Sequence, residues 1–448
     1  MIIDFELIKK KCGYSRVGRI KTLNSSKNYL KTPVLLVPIN KIVMQIMDFV
    51  LEFKNHRFFI ISNEDYLKTL FLKEQYENSY FIFAYNGTLL RFQEIIKKKK
   101  EKLLTSSVIP LIPFNNPTTT LDIDFTVDEI HNYLEQASMI LEKNKNLDFG
   151  LTIRTFHYSE TIDLYLSTIK KHKNLKILNL MDIFDDLNRF RQILKTIIKI
   201  KKELDNNLIL MVSGRILPNL YPMLIYLGVD LIDSSYLLFL SSENFYNTTE
   251  FLLPIYKLKY LPCNCVACRG NLSKYLEEKY SLEKLRLLCV HNLMSANAFT
   301  NKIKQYLNYE DYRFLTEKSA FNDTYIISML KILDKECFDA LKYETPRYKK
   351  IKSIKCLGAS SYHRPDFNLY RERVVERFNP ESWTRLVFLF PCSAQKPYSK
   401  SNSHQKFLRV LRKFSEFPSF QEFILTSPLG VVPRQLEDIY PPNSYDIS

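Results

Sequence analysis

Eight short apolar segments recur between residues 32 and 235: "TPVLLVPI", "RFFIIS", "SYFIFAYN", "SVIPLIPF", "FGLTIRTF", "NLKILNL", "NLILMVSG" and "VDLIDSS". They are rich in Val, Ile, Leu, Phe and Tyr, which fits strands buried on both faces. Most of the gaps carry a helical period, as in "RFQEIIKKKKEKLL" and "LNRFRQILKTIIKIKKEL". Strands alternating with helices predict a parallel sheet with right-handed crossovers. Eight such units fit an α/β fold of the closed, TIM-like (β/α)8 type, whose chemistry sits at the C-terminal strand ends. An open doubly wound sheet satisfies the same alternation.

The pattern resets in the last hundred residues. "TRLVFLF" reads as a buried strand, and "FQEFILTSPLG" as a second strand and turn. Between them, "SHQKFLRVLRKFSEF" puts Phe407, Leu408, Val410, Leu411 and Phe414 on one helical face. Ser401 or Ser403 is a ready N-cap for that helix. A strand–helix–strand order makes the two strands parallel, so their C-terminal ends open on one ligand-binding edge. "PCS" at 391–393 and "TSP" at 426–428 are therefore expected to face one crevice. The implied organisation is a barrel over residues 1–300 with a metal loop at 260–295, a helical connector over 301–345, and a smaller α/β domain with parallel strands over 346–448. The stretch "TPRYKKIKSIKCLGASSYHRP" reads as a basic linker.

Composition narrows the class. The chain has 448 residues, is 46% hydrophobic and 13% aromatic, and so has the means to build two or three packed domains. The N-terminal "MIIDFELIKKKCGYSR" puts charges where a signal peptide needs an apolar run, and no apolar stretch approaches membrane-spanning length. A soluble cytoplasmic protein with no membrane partner is expected. Its formal charge is +16, and residues 346–448 hold 17 Lys and Arg against 9 Asp and Glu, a net +8 and half of that excess. Such a surplus points to nucleic acid; a lysine-rich proteome would produce it too. The lysine run at 97–100 belongs on the solvated face of an outer helix.

Eight cysteines without a secretory signal read as metal ligands or nucleophiles rather than disulfides. "CNCVAC" supplies Cys263, Cys265 and Cys268, and His291 follows after 22 intervening residues. Three thiolates and one imidazole make a closed tetrahedral set, so one structural zinc per chain is expected. Cys289 is a possible substitute two residues from His291, whereas Cys12, Cys337 and Cys356 are isolated and read as packing residues.

The stretch "PCSAQKPYSKSNSH" concentrates chemistry at a strand end: Cys392, Ser393, Lys396, Tyr398, Ser401, Ser403 and His404. A thiolate at Cys392 is a nucleophile for a soft electrophile, and a nearby helix N-terminus would favour its ionised form. His404 and Lys396 suit proton movement or phosphate binding, and Tyr398, Ser401 and Ser403 suit orientation of a polar substrate group. Alternatively, Cys392 is a small packed residue and Lys396 simply a phosphate contact.

Two resemblances join these features. The C-x-C-x2-C-x22-H set after a barrel pattern, with "SGRILPNLYPMLIYLGVDLIDSSYLLFL" before it, resembles the archaeal tRNA-guanine transglycosylases. That resemblance puts Asp233 on the family's nucleophilic aspartate; a helix N-cap is the plain alternative. The base-exchanging enzymes also carry a "D-S-G-x-F-Q" loop and a glycine pair. Here "YNGTLLRFQ" lacks the acid and no Gly-Gly occurs. "PCSAQKPYSKSNSH" and the following "LTSPLGVVPRQLEDIYPPNSYDI" resemble the archaeosine synthase family, alpha subunit, a transglycosylase paralogue. The resemblance implies an archaeal tRNA-modifying transferase that adds lysine to the nitrile of 7-cyano-7-deazaguanine in tRNA, with a radical-SAM partner acting on the adduct. It also implies a PUA part beyond "SYDIS", either carried on a second polypeptide that would cover an open sheet edge or lost from a truncated reading frame. Base exchange and a non-catalytic tRNA-binding subunit are the alternatives.

Overall fold

The computed structural model describes every residue except 1–2, 23–28, 52–56, 71–78, 115–121, 155–158, 205, 278–280, 310, 347–352 and 447–448. Two compact units result, one of residues 1–10 and 14–305, the other of residues 11–13 and 306–448. The stretch expected as a helical connector thus falls mostly inside the second unit. Six residues of the expected basic linker, 347–352, lie outside the described residues; the rest is not a linker but part of the second unit, with Ile354–Lys355 a short strand and Gly358–His363 a 3-10 helix. No helix among the described residues is long and apolar enough to cross a membrane.

The first unit opens with an antiparallel sheet of β1 (Ile3–Lys10), β2 (Arg16–Thr22) and β3 (Tyr29–Lys31). Ile3 and Phe5 alternate with exposed Asp4 and Glu6, the period of a strand with one buried face. Eight parallel strands then close a barrel: β4 (Val34–Ile39), β5 (Phe58–Ile61), β6 (Tyr80–Ala84), β7 (Val108–Ile112), β8 (Phe149–Ile153), β9 (Leu175–Met181), β10 (Ile209–Ser213) and β11 (Leu231–Asp233). All eight expected strands are present and the open-sheet alternative is excluded, because β11 pairs with β4. Their residues are almost all buried, which explains the unbroken apolar runs.

Arg16 locks the lower end of this barrel. Its guanidinium makes two hydrogen bonds to Asp230, at 2.9 and 2.5 Å, and donates to the carbonyls of Asn206 and Leu208 at 2.6 Å each. Asp230 also accepts the Leu210 amide at 2.9 Å. Both side chains are almost fully buried, so each needs the other to offset desolvation. A hairpin of β12 (Phe245–Asn247) and β13 (Leu252–Pro254) follows, and the long helix Leu282–Tyr309 runs to the boundary between the units.

The second unit contains β14 (Ile354–Lys355), β15 (Leu386–Pro391), β16 (Phe420–Thr426), β17 (Gly430–Pro433) and β18 (Tyr445–Asp446). β15 and β16 are parallel, as expected, β17 returns antiparallel to β16, and β14 pairs with β18. The reading of "TRLVFLF" as buried is overturned. β15 is the edge of a three-stranded sheet, and Leu386, Val387 and Leu389 are 51%, 56% and 60% exposed. By register Val387, Leu389, Leu425 and Val431 share one sheet face, and all four are exposed. The helix Asn402–Leu411 repeats the theme: Leu411 is buried, but Val410 and Phe414 face solvent.

Four carboxylates and two guanidiniums form the buried polar centre of this unit. Arg313 pairs with Glu317 at 2.8 Å and bidentately with Asp334. Arg364 pairs with Asp311 at 3.1 Å and with Asp366 at 3.2 Å, and lies 3.8 Å from Glu317. All six are buried. The carboxylates outnumber the cations, so burial is poorly offset and the carboxyl of Asp334 is pushed up to about 6.

Candidate functional site

The cysteine loop and the helix Leu282–Tyr309 bring four ligand atoms together. One from each of Cys263, Cys265, Cys268 and His291 lies within 4.8 Å of every other. Nδ1 of His291 is 3.2 Å from Sγ of Cys268 and 3.7 Å from Sγ of Cys265. Nε2 donates to the carbonyl of Asn247 at 2.9 Å, which fixes the tautomer and leaves Nδ1 bare for a metal. Tyr246 stacks on the imidazole at 3.7 Å, and its hydroxyl contacts Cys268 Sγ at 3.3 Å. The next residue, Asn292, ties the helix to the same hairpin by accepting the Asn247 amide and donating to the Phe245 carbonyl. The donor set fits a closed four-coordinate metal site with no position left for water. Cys289 is buried but stands outside the cluster.

The barrel mouth holds a cavity of about 870 Å³. Asp233 lies in it at the end of β11, 7% exposed, and its Oδ1 accepts the Ser235 amide at 2.9 Å and the Ser235 hydroxyl at 2.6 Å. Asp233 thus closes the turn that leads into the helix Ser235–Ser242 and lines the cavity at once, while the N-cap position falls on Ser234. Burial raises its carboxyl pKa, against the two Ser235 hydrogen bonds. Tyr85 and Asn86, from "YNGTLLRFQ", line the same cavity after β6 and bring no acid. A second carboxylate nevertheless arrives from β9. Asp182 sits at φ 56°, pairs with Arg154 at 2.9 Å, and crowds Gly214, where a Cβ would meet its carboxylate at 2.6 Å. Asn179, also in the lining, buries a side-chain oxygen that has no hydrogen-bond partner among the described residues.

In the second unit, β15 delivers Cys392 to solvent. Its amide donates to the Leu425 carbonyl at 3.1 Å, so the "PCS" and "TSP" strand ends are adjacent. Ser393 turns back to the Gln395 carbonyl at 3.0 Å. Lys396 donates to the carbonyl of Tyr445 and lies 3.9 Å over its ring. Burial lowers the Lys396 pKa, opposed chiefly by the Asp446 carboxylate. The buried Tyr398 hydroxyl meets that of Tyr445 at 2.5 Å, and Tyr445 in turn meets Thr426 Oγ1. Ser401 is the N-cap: its hydroxyl accepts the His404 amide at 3.3 Å and lies 3.3 Å from Ser403 Oγ. His404 is fully buried, between Arg434 and the Pro391 carbonyl, each at 2.9 Å.

Thr426 stands at the strand end where "TSP" was expected, whereas Arg434, Glu422, Glu437 and Tyr445 escaped the sequence reading. They come from segments 420–446, where no spacing ties them to the cysteine stretch. Only the fold of β16 to β18 back onto β15 shows the association.

Known proteins match both halves of this picture. The family described as queuine tRNA-ribosyltransferase matches residues 181–323, and a domain of unknown function, DUF5591, matches residues 367–448. The archaeosine synthase subunit alpha of Methanosarcina acetivorans is 28% identical over 259 residues, 58% of this chain and 41% of that protein. The archaeosine synthase of Haloferax volcanii is 29% identical over 252 residues, 56% of this chain and 40% of that protein. The tRNA-guanine(15) transglycosylase of Saccharolobus solfataricus is 24% identical over 454 residues, 96% of this chain and 88% of that protein. The chain is thus similar both to archaeosine synthases and to tRNA-guanine transglycosylases. It spans about two fifths of the length of the archaeosine synthases that it matches.

Proposed function

We propose that this chain is a cytoplasmic tRNA-modifying transferase that adds lysine to the nitrile of 7-cyano-7-deazaguanine already placed in tRNA. The observation that carries the reading is the strand end of β15. There an exposed thiol, Cys392, ends a strand four residues ahead of Lys396, whose ammonium is held on the Tyr445 carbonyl, in a segment that resembles the archaeosine synthase signature. Cys392 as thiolate adds to the nitrile carbon and its proton passes to nitrogen, giving a thioimidate. An amine of lysine then adds to that carbon, the C–S bond breaks, and a proton from the amine restores the thiol. The product is an amidine, and no oxidant or reductant is consumed. A separate radical-SAM enzyme would act on that adduct.

Lys396 offers a cation four residues after the thiol, and the buried Tyr398–Tyr445–Thr426 hydroxyl chain ties the turn that carries it to the end of β16. The Cys3His cluster would hold one zinc, which pins the loop 263–268 to the helix through His291 and takes no part in bond making. The exposed face of Val387, Leu389, Leu425 and Val431 suits cover by a further PUA-bearing part or chain. The test is transfer of labelled lysine to nitrile-bearing tRNA by the purified chain, with and without such a partner. Incorporation supports the reading; none under either condition rejects it.

One observation favours a second reading. Asp182 and Asp233 both line the barrel mouth, a pair of carboxylates of the kind base exchange requires. Asp182 is tied to Arg154, so this reading predicts guanine exchange that fails in Asp233→Asn. Binding of tRNA with neither activity would leave the chain a non-catalytic tRNA-binding subunit.

A further inference from the structure

The buried imidazole of His404 has both ring nitrogens engaged. Nδ1 is 2.9 Å from a terminal nitrogen of Arg434, and Nε2 is 2.9 Å from the Pro391 carbonyl oxygen. A guanidinium can only donate and a carbonyl can only accept. One state of the ring satisfies both neighbours: neutral, with the proton on Nε2. A proton added at Nδ1 would set two donors face to face in a buried place.

We infer that His404 and Arg434 are positioning residues for Cys392, a clamp on the strand end rather than a proton relay; as a role in the reaction, this rests on the lysine-transfer reading above. Pro391 immediately precedes Cys392, so the hydrogen bond from Nε2 joins the first turn of the helix Asn402–Leu411 to the residue that carries the thiol's backbone. Arg434 is held in turn. It pairs with Glu422 on β16 at 2.8 Å and with Glu437 at 2.9 Å, and Glu437 also accepts the Ser399 amide at 3.0 Å. One guanidinium thereby links β16, the segment after β17, the "KPYS" turn and, through His404, the end of β15.

The surroundings agree. Phe390 and Phe407 wall the ring at 6.0 and 5.6 Å, and Tyr398 lies at 5.7 Å. The charged groups facing the cluster are Arg434, Glu422 and Glu437. Burial and then the Arg434 charge hold the His404 pKa below its ordinary value, and the two glutamates oppose them more weakly. A site built to shuttle protons would leave one nitrogen open to substrate or water.

Two measurements on the full chain decide it. The first is 15N NMR of histidine-labelled protein, with the His404 signal assigned by its loss in His404→Gln. The expected spectrum shows the Nε2–H neutral tautomer at neutral pH and as pH falls through the ordinary histidine midpoint. A titration with an ordinary midpoint, or an Nδ1–H tautomer, overturns the inference. The second is lysine transfer by His404→Gln, whose amide can still donate to Pro391 and accept from Arg434. A clamp predicts a loss under roughly tenfold and no new ionisation in the pH profile. A relay predicts a loss of roughly a hundredfold or more, as for His404→Ala. If wild type itself transfers no lysine, the functional reading fails, while the NMR tautomer still decides whether the clamp exists.

Discussion

The carbonyl oxygen of Asn247 lies 2.9 Å from Nε2 of His291, and this contact turns Nδ1 toward three cysteines. A hairpin carbonyl thus selects the tautomer of a helix side chain. With Nε2 committed to that carbonyl, Nδ1 is the ring nitrogen placed to serve as a metal ligand.

The first prediction follows from that geometry. Elemental analysis of purified protein should find about one zinc per chain, since four ligands close one site. Cys265→Ala should lose the metal and lower unfolding stability by at least about 2 kcal/mol. Full zinc occupancy in that variant would contradict the ligand assignment.

The second prediction concerns pH. The folded-state pKa of Asp334 is raised to about 6 from an ordinary carboxyl value, chiefly by burial against the pull of Arg313. Its folded form binds the proton more tightly than its unfolded form. This stabilising contribution is present at acid pH and is lost as pH rises through about 6. In Asp334→Asn the stability difference between about pH 5 and about pH 7.5 should shift by on the order of 1 kcal/mol relative to wild type. Denaturant melts at the two pH values measure it; identical pH dependence in the two proteins would refute the assignment.

How much was legible beforehand depended on whether the signal was local. The eight barrel strands were readable because burial on both faces leaves unbroken apolar runs. The metal set was readable because Cys263, Cys265 and Cys268 fall within six residues. The strand β1 was equally readable in "IDFEL", yet eight residues of period two were easily passed over beside the barrel runs. "TRLVFLF" misled for a physical reason: an apolar run looks the same whether the sheet continues past it or stops at it. The Arg434 clamp and the Tyr445 hydroxyl chain were not readable at all. They join positions 30 and 47 residues apart through tertiary folding alone.

The third prediction concerns RNA. Residues 346–448 carry a net +8, and Lys and Arg release counterions when they meet phosphates. Binding of tRNA should weaken steeply between about 50 and 200 mM salt, by on the order of tenfold or more. Filter binding or anisotropy would show this. Affinity that does not change with salt would remove the electrostatic argument.

The central claim is that Cys392 forms a covalent bond to the nitrile carbon, and one measurement reaches it most directly. Wild-type protein and Cys392→Ser are each incubated with nitrile-bearing tRNA without lysine, digested with nuclease and examined by intact-mass spectrometry. A hydroxyl keeps the shape of the site but is a far weaker nucleophile near neutral pH. The account predicts a nucleotide-sized adduct on wild type that maps to Cys392 and disappears when lysine is added, with no adduct on the serine variant. It also predicts that Cys392→Ser keeps its tRNA binding and metal content while lysine transfer falls by roughly a hundredfold or more. Lysine transfer by Cys392→Ser at the wild-type rate would contradict the claim.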